Sequence, residues 1–351
     1  MSASAAEADE TARDLLEALV SIPSPSGEER EAAERLAAFF EERDREVWLD
    51  EVGNVRAPAD DSVLLTSHVD TVPGEIPVGV EESGDGAKEL WGRGSVDATG
   101  PLAAMAVVAV RTGVSFVGVV GEETDSRGAR FLVEDRDAPD AVINGEPSGW
   151  DGVTLGYRGF LSGEYAVATD SAHTSRPEPN AIQEAMAWWS RVEEAFEEED
   201  DTPVFERVTA KPVVFSGGTA DDGLSVEASA EVQFRIPPGE SAAGIRETVE
   251  AELDAGKIAW GDPIPPVMES PRTEVARAFR AAIRRAGGDP RLLRKTGTSD
   301  MNLYAGAWDR PMATYGPGDS ELDHAPNERL DLGDLDRAVA VLEDVCETLQ
   351  S

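Results

Sequence analysis

The 351-residue chain has one cysteine, Cys346, three histidines, and four lysines, Lys88, Lys211, Lys257 and Lys295. A lone cysteine excludes an internal disulfide, and without a Cys-x-x-Cys pair there is no zinc knuckle. A reducing, cytoplasmic setting is the expectation. The first ten residues hold neither a basic segment nor an apolar core and do not read as a secretion signal. The most apolar stretch, Leu102 to Gly121, is broken by Arg111-Thr112-Gly113, so it reads as a helix followed by a strand and not as a membrane span. Basic residues are scarce: 31 against 70 acids, for a formal charge of −39. Such a surface repels nucleic acid and anionic membranes. The acids are spread along the chain, as expected for a halophilic protein in molar salt, where screening shortens to about 3 Å.

The first part of the chain alternates strands and helices. Glu28 to Glu42 is amphipathic, with Ser26 and Glu29 spaced as a capping box. Val63-Leu64-Leu65, Val114 to Val120 and Ala141-Val142-Ile143 read as buried strands, and Pro101 to Val110 as a helix with proline in its first turn. Near-continuous apolar strands separated by helices predict an α/β catalytic domain, a mixed sheet flanked by helices. After Tyr157 the order becomes β-α-β-β-α, with strands at Phe160 to Thr169, Thr209 to Phe215 and Leu224 to Ile236, as in an inserted α+β, ferredoxin-like domain. The predicted division is a discontinuous first domain over 1–157 and 269–351, with a second domain inserted over 158–268.

Each histidine lies in a short motif of catalytic character: His68 in Ser67-His68-Val69-Asp70, His173 in Ala172-His173-Thr174-Ser175, and His324 in Glu321-Leu322-Asp323-His324. His68 and Asp70, Asp97, Glu122-Glu123 and Glu146 each follow a predicted strand, and in an α/β sheet those ends converge. Singly, each is an ordinary loop residue in so acidic a chain. Four such groups that one sheet edge can collect, with His324 joining them from the returning C-terminal part, point to a metal pair.

The succession Ser67-His68-Val69-Asp70, Gly92-Arg93-Gly94-Ser95-Val96-Asp97, Gly121-Glu122-Glu123, Asn144-Gly145-Glu146-Pro147, Ala172-His173-Thr174-Ser175-Arg176-Pro177 and the late His324 resembles the acetylornithine deacetylase, succinyl-diaminopimelate desuccinylase and carboxypeptidase G family of dinuclear zinc amidohydrolases. The resemblance implies two Zn2+ (or Co2+) per subunit: Asp97 bridges, His68 and Glu146 complete one site, and Glu123 and His324 the other. It further implies 1–157 and 269–351 as the catalytic domain and 158–268 as a lid or dimerisation domain, with Glu122 as general base, Asp70 as the residue orienting His68, and His173 as an oxyanion stabiliser acting in trans across a homodimer formed by that lid. Arg158, Arg235, Thr298 and Ser299 resemble positions that hold the substrate carboxylate, a task suited to a guanidinium fork. The Asp97–Ala98 peptide is expected to be cis. One departure is Thr99, where the family usually has a lysine two residues after the bridging aspartate.

Within the family, Lys295-Thr296-Gly297-Thr298-Ser299-Asp300-Met301-Asn302 and Tyr315-Gly316-Pro317-Gly318-Asp319 look most like hydrolases that release lysine or ornithine from the C-terminal glutamate γ-carboxyl of an amino-group carrier protein. Acetylornithine deacetylase, aminoacylase or carboxypeptidase-like activity is the alternative, and a non-catalytic metal-binding module a more distant one. Arg272 to Lys295 holds eight of the 31 basic residues against two acids, a strip that could dock an acidic carrier.

Overall fold

The computed structural model describes residues 12–351 apart from 85, 172–174, 198–200 and 222. The chain divides into two compact units. One comprises residues up to Leu155, Glu269–Leu293 and Ser299–Ser351; the other is Gly156–Met268 with Arg294–Thr298. The boundaries differ from the expected ones chiefly at Arg294–Thr298, a short return that clusters with the inserted unit.

In the first unit, strands Val114–Val119, Asp60–His68, Val142–Gly145 and Met312–Thr314 lie side by side and parallel. Val55–Ala57 adds antiparallel to one side and Gly152–Tyr157 to the other, making the sheet mixed. The helix Thr99–Thr112 is buried from Thr99 through Ala109. It contacts both the strand Asp60–His68 and the helix Leu332–Leu349, so an apolar stripe on one side alone would not suffice. On the helix Arg30–Glu41, Leu36, Phe39 and Phe40 turn inward, and Phe40 meets Phe116 with ring centroids 5.0 Å apart. Truncating such a core phenylalanine to alanine costs about 3–5 kcal/mol.

The parallel register aligns the strand ends: Ser67 stands opposite both Gly118 and Gly145. Gly145 is required by the close approach, since a Cβ there would lie 2.7 Å from Ser67 Cβ and 2.9 Å from Met105 Sδ. Gly121, at φ 78°, turns the chain after the neighbouring strand. Residues just beyond these strands therefore gather along one edge of the sheet. The expected capping box does not form. The helix begins at Arg30 with no side-chain cap, because Ser26 Oγ donates to Asp70 at 2.6 Å and Glu29 pairs with Arg127 at 2.6 Å.

The inserted unit is a four-stranded antiparallel sheet in the order Thr209–Thr219, Ser225–Ile236, Gly159–Asp170, Lys257–Trp260. With helices Ala181–Ala195 and Ala242–Ala251 this is the split-βαβ arrangement. Its own core is built on Tyr165 stacked against Trp188, centroids 4.0 Å apart, with Val232, Phe234 and Ile245. Thr209–Thr219 runs four residues past its expected end and is an edge strand with Val213, Val214 and Phe215 exposed.

Candidate metal centre

His68 is the last residue of its strand and almost fully buried. Its Nδ1 lies 2.8 Å from the Asp70 backbone oxygen. A carbonyl can only accept, so Nδ1 carries a proton, and Nε2 is the nitrogen that would face a metal. The Asp70 carboxylate, 3.7 Å from the same Nδ1, is the more distant acceptor. That carboxylate instead accepts the backbone N–H groups of Glu122 and Glu123, each at 3.1 Å, and the Ser26 hydroxyl. Asp70 thus orients His68 through its main chain and holds the Glu122–Glu123 turn through its side chain. Burial opposes its ionisation, but hydrogen bonds from its neighbours bring its pKa down to about 2.

Asp97 stands between two imidazoles. His68 Nε2 is 3.2 Å from its Oδ1, and His324 Nε2 is 3.1 Å from its Oδ2. The Asp97–Ala98 peptide is cis. His324, at φ 59°, also reaches Glu123 at 3.1 Å, and His68 Nε2 is 3.9 Å from Glu146. Candidate ligand atoms of His68, Glu122 and Glu146 lie within 4.8 Å of one another, as do those of His68, Asp97 and Glu123. Burial first, then the charge of Glu146, raises Glu122 well above the ordinary carboxylate range, and burial likewise raises Glu123. Hydrogen bonding to Asp97 holds His324 up at about 9. Four carboxylates crowded around two imidazoles repel one another unless divalent cations lie between them, and nitrogen and carboxylate donors suit zinc. The donor set fits a divalent metal centre.

The other sequence candidates fare unevenly. Arg158 is buried, and its guanidinium donates to the backbone oxygens of Thr296 and Val204, at 3.0 Å each, and to the Thr209 hydroxyl. These bonds turn the expected carboxylate fork into a clamp on its own unit. Arg235 lies over the Phe160 ring at 4.8 Å and reaches Thr298 Oγ1 at 3.5 Å; burial lowers its pKa. Ser299 is buried with its hydroxyl unpartnered among the described residues, while its N–H donates to Asn302 at 3.0 Å. His173 lies outside the described residues. Sequence reasoning missed Glu328, whose buried carboxylate accepts from the Asp97 N–H at 3.1 Å; an acid four residues after His324 was the only available signal.

The chain is similar to known hydrolases over nearly its whole length. A family profile described as peptidase family M20/M25/M40 matches residues 64–348. The LysW-lysine hydrolase of Deinococcus radiodurans is 41% identical, with 95% of each chain covered. The LysW-lysine/LysW-ornithine hydrolase of Sulfurisphaera tokodaii is 30% identical over 96% of this chain and 95% of that one. Among solved structures, aminopeptidase PepT from Bacillus cereus superposes with TM-score 0.78 at 20% identity, over 98% of this chain and 99% of that one. An M20-family metallo-carboxypeptidase from Sulfolobus solfataricus also gives 0.78, at 19% identity and 96% and 99% coverage. At such identities the two structures speak for the fold alone.

Proposed function

The chain belongs to peptidase family M20/M25/M40, and we propose that it hydrolyses the amide between the α-amino group of lysine or ornithine and the C-terminal glutamate γ-carboxyl of an amino-group carrier protein. The observation that carries the hydrolytic reading is the Asp97 carboxylate between His68 Nε2 and His324 Nε2. The near-full-length similarity to hydrolases named for LysW-bound lysine supports the carrier substrate.

His68 with Glu146, and His324 with Glu123, would each hold one zinc, and Asp97 would bridge them. Two bound zinc ions would polarise the amide carbonyl and acidify water. Glu122, held by Asp70 at its backbone N–H and raised in pKa by burial, takes the proton of the attacking water and delivers it to the departing amine nitrogen. Arg235 and Thr298 offer a donor pair for the substrate carboxylate.

The inserted unit serves as lid and dimer contact, with His173 acting across the dimer. The exposed Val213, Val214 and Phe215 on the edge strand support this pairing, because such an edge is a template for a second strand. The acid excess fits a halophilic, cytoplasmic enzyme. Among the described residues no helix is long and apolar enough to cross a membrane. Release of lysine and ornithine from the two carrier conjugates, assayed beside N-acetylornithine, tests the substrate; turnover of N-acetylornithine alone would favour a plain deacetylase.

A further inference from the structure

Asp97 and His324 are brought together by turns, and a buried carboxylate carried by the second turn segment is bonded to the first. Glu328 is 1% exposed. Its Oε1 accepts the backbone N–H groups of Val96 at 2.9 Å and Asp97 at 3.1 Å. Its Oε2 accepts from the Gly94 N–H at 3.1 Å and from Arg93 Nη1 at 2.8 Å. The same Arg93 nitrogen donates to the backbone oxygen of Ala325, the neighbour of His324, at 3.2 Å. The Gly92 N–H reaches the Glu328 backbone oxygen at 3.4 Å. The segments 92–97 and 324–328 are therefore tied in both directions: a side chain of each grips the main chain of the other.

His324 depends on such a tie. Its side chain is 52% exposed, so packing does little to hold the ring, and its backbone is left-handed at φ 59°. Its Nε2 nevertheless stands 3.1 Å from both Asp97 and Glu123. A carboxylate receiving three backbone N–H groups and a guanidinium is a strong, charge-assisted anchor. We propose that Glu328 is the positioning residue that sets Asp97 and His324 as a pair, and so determines the affinity of the metal position that they share with Glu123. The inference rests on the two-metal reading and concerns metal affinity, not the identity of the substrate.

The test is titration of the full chain with cobalt(II) against a competing chelator, followed by visible absorption, with thermal unfolding of each variant in chelator alongside. Glu328→Gln keeps the size but turns an amide NH2 toward some of the three N–H donors. It should bind one cobalt as the wild type does and the second about 10–100-fold more weakly, the usual range for loss of an outer partner of a ligand. The cobalt spectrum should change with it, and Glu328→Asp should recover part of the loss. Two cobalt ions bound by Glu328→Gln with wild-type affinity and spectrum would overturn the proposal, whatever the melting temperature does. If Glu328→Gln does not fold, Arg93→Gln, which releases Ala325 and leaves the N–H bonds to Glu328, must weaken the second cobalt; unchanged binding overturns the proposal equally. A wild-type chain that binds two cobalt ions but cleaves no carrier conjugate would refute the substrate reading and leave this inference standing. A wild-type chain that binds no cobalt would refute both the metal centre and this inference.

Discussion

His324 Nε2 lies 3.1 Å from Asp97 Oδ2, so the returning C-terminal segment closes the centre begun at the ends of the first strands. With His68 Nε2 on the other Asp97 oxygen at 3.2 Å, a single carboxylate joins both halves. Asp97→Asn should therefore lose both metals by elemental analysis. Glu122→Gln should retain two metals and lose about 10²–10⁴-fold in turnover, the usual worth of a general acid–base group. An emptied site in Glu122→Gln would make that residue a ligand instead.

Asp300 gives the account a pH dependence. Its carboxyl is buried with Oδ1 unpartnered among the described residues, and burial, the largest cause, raises its pKa from the ordinary 3.8 to about 7. The folded state thus binds its proton more tightly than the unfolded chain does. The stability gained from that proton is fully present below pH ~4 and lost as pH rises through ~7. Melting in chelator should show Asp300→Asn gaining on the wild type between pH 5 and pH 8. A constant difference between the two proteins would contradict the shift.

Much of this was legible in the sequence because it rests on local pattern. Apolar strands in Val63-Leu64-Leu65 and Val114 to Val120, with acids or histidines immediately after them, bring candidate ligands to a sheet edge, and their allotment to metal and base roles comes from the family resemblance. The split second unit follows from its alternating strands. What was not legible depends on acceptors without a sequence signature. Arg158 resembles a substrate arginine, yet backbone carbonyls of its own unit take its guanidinium. Ser26 and Glu29 have capping-box spacing, yet each is drawn to a tertiary partner, Asp70 and Arg127. Glu328 is one acid among 70, and only the return of the chain gives it three N–H groups to hold.

The basic strip separates into paired and exposed arginines. Arg285, Arg291 and Arg294 pair with Asp344, Asp151 and Glu206 at 2.6, 2.6 and 3.1 Å. Arg277 and Arg284 are exposed on the helix Glu274–Arg285, whose Val275, Phe279 and Ile283 face inward. Reversing Arg277, Arg280 and Arg284 to Glu should raise KM for carrier-bound substrate roughly tenfold or more, since charge complementarity mainly governs encounter, and leave N-acetylornithine kinetics unchanged. Equal losses on both substrates would assign these arginines to stability.

The edge strand Thr209–Thr219 predicts the assembly. Placing lysine at Val214 and Phe215 should shift the protein from dimer to monomer in sedimentation, because like charges across paired edges repel. If the wild type is itself a monomer at micromolar concentration, the dimer and the trans role of His173 both fall.

The central claim is tested most directly by incubating the zinc-loaded enzyme, in molar salt, with a carrier bearing lysine on its C-terminal glutamate and following free lysine and carrier mass together. The account predicts stoichiometric release of lysine with the carrier shortened by that residue alone, and no release by Glu122→Gln. Intact conjugate after prolonged incubation with metal-replete wild-type enzyme would contradict it.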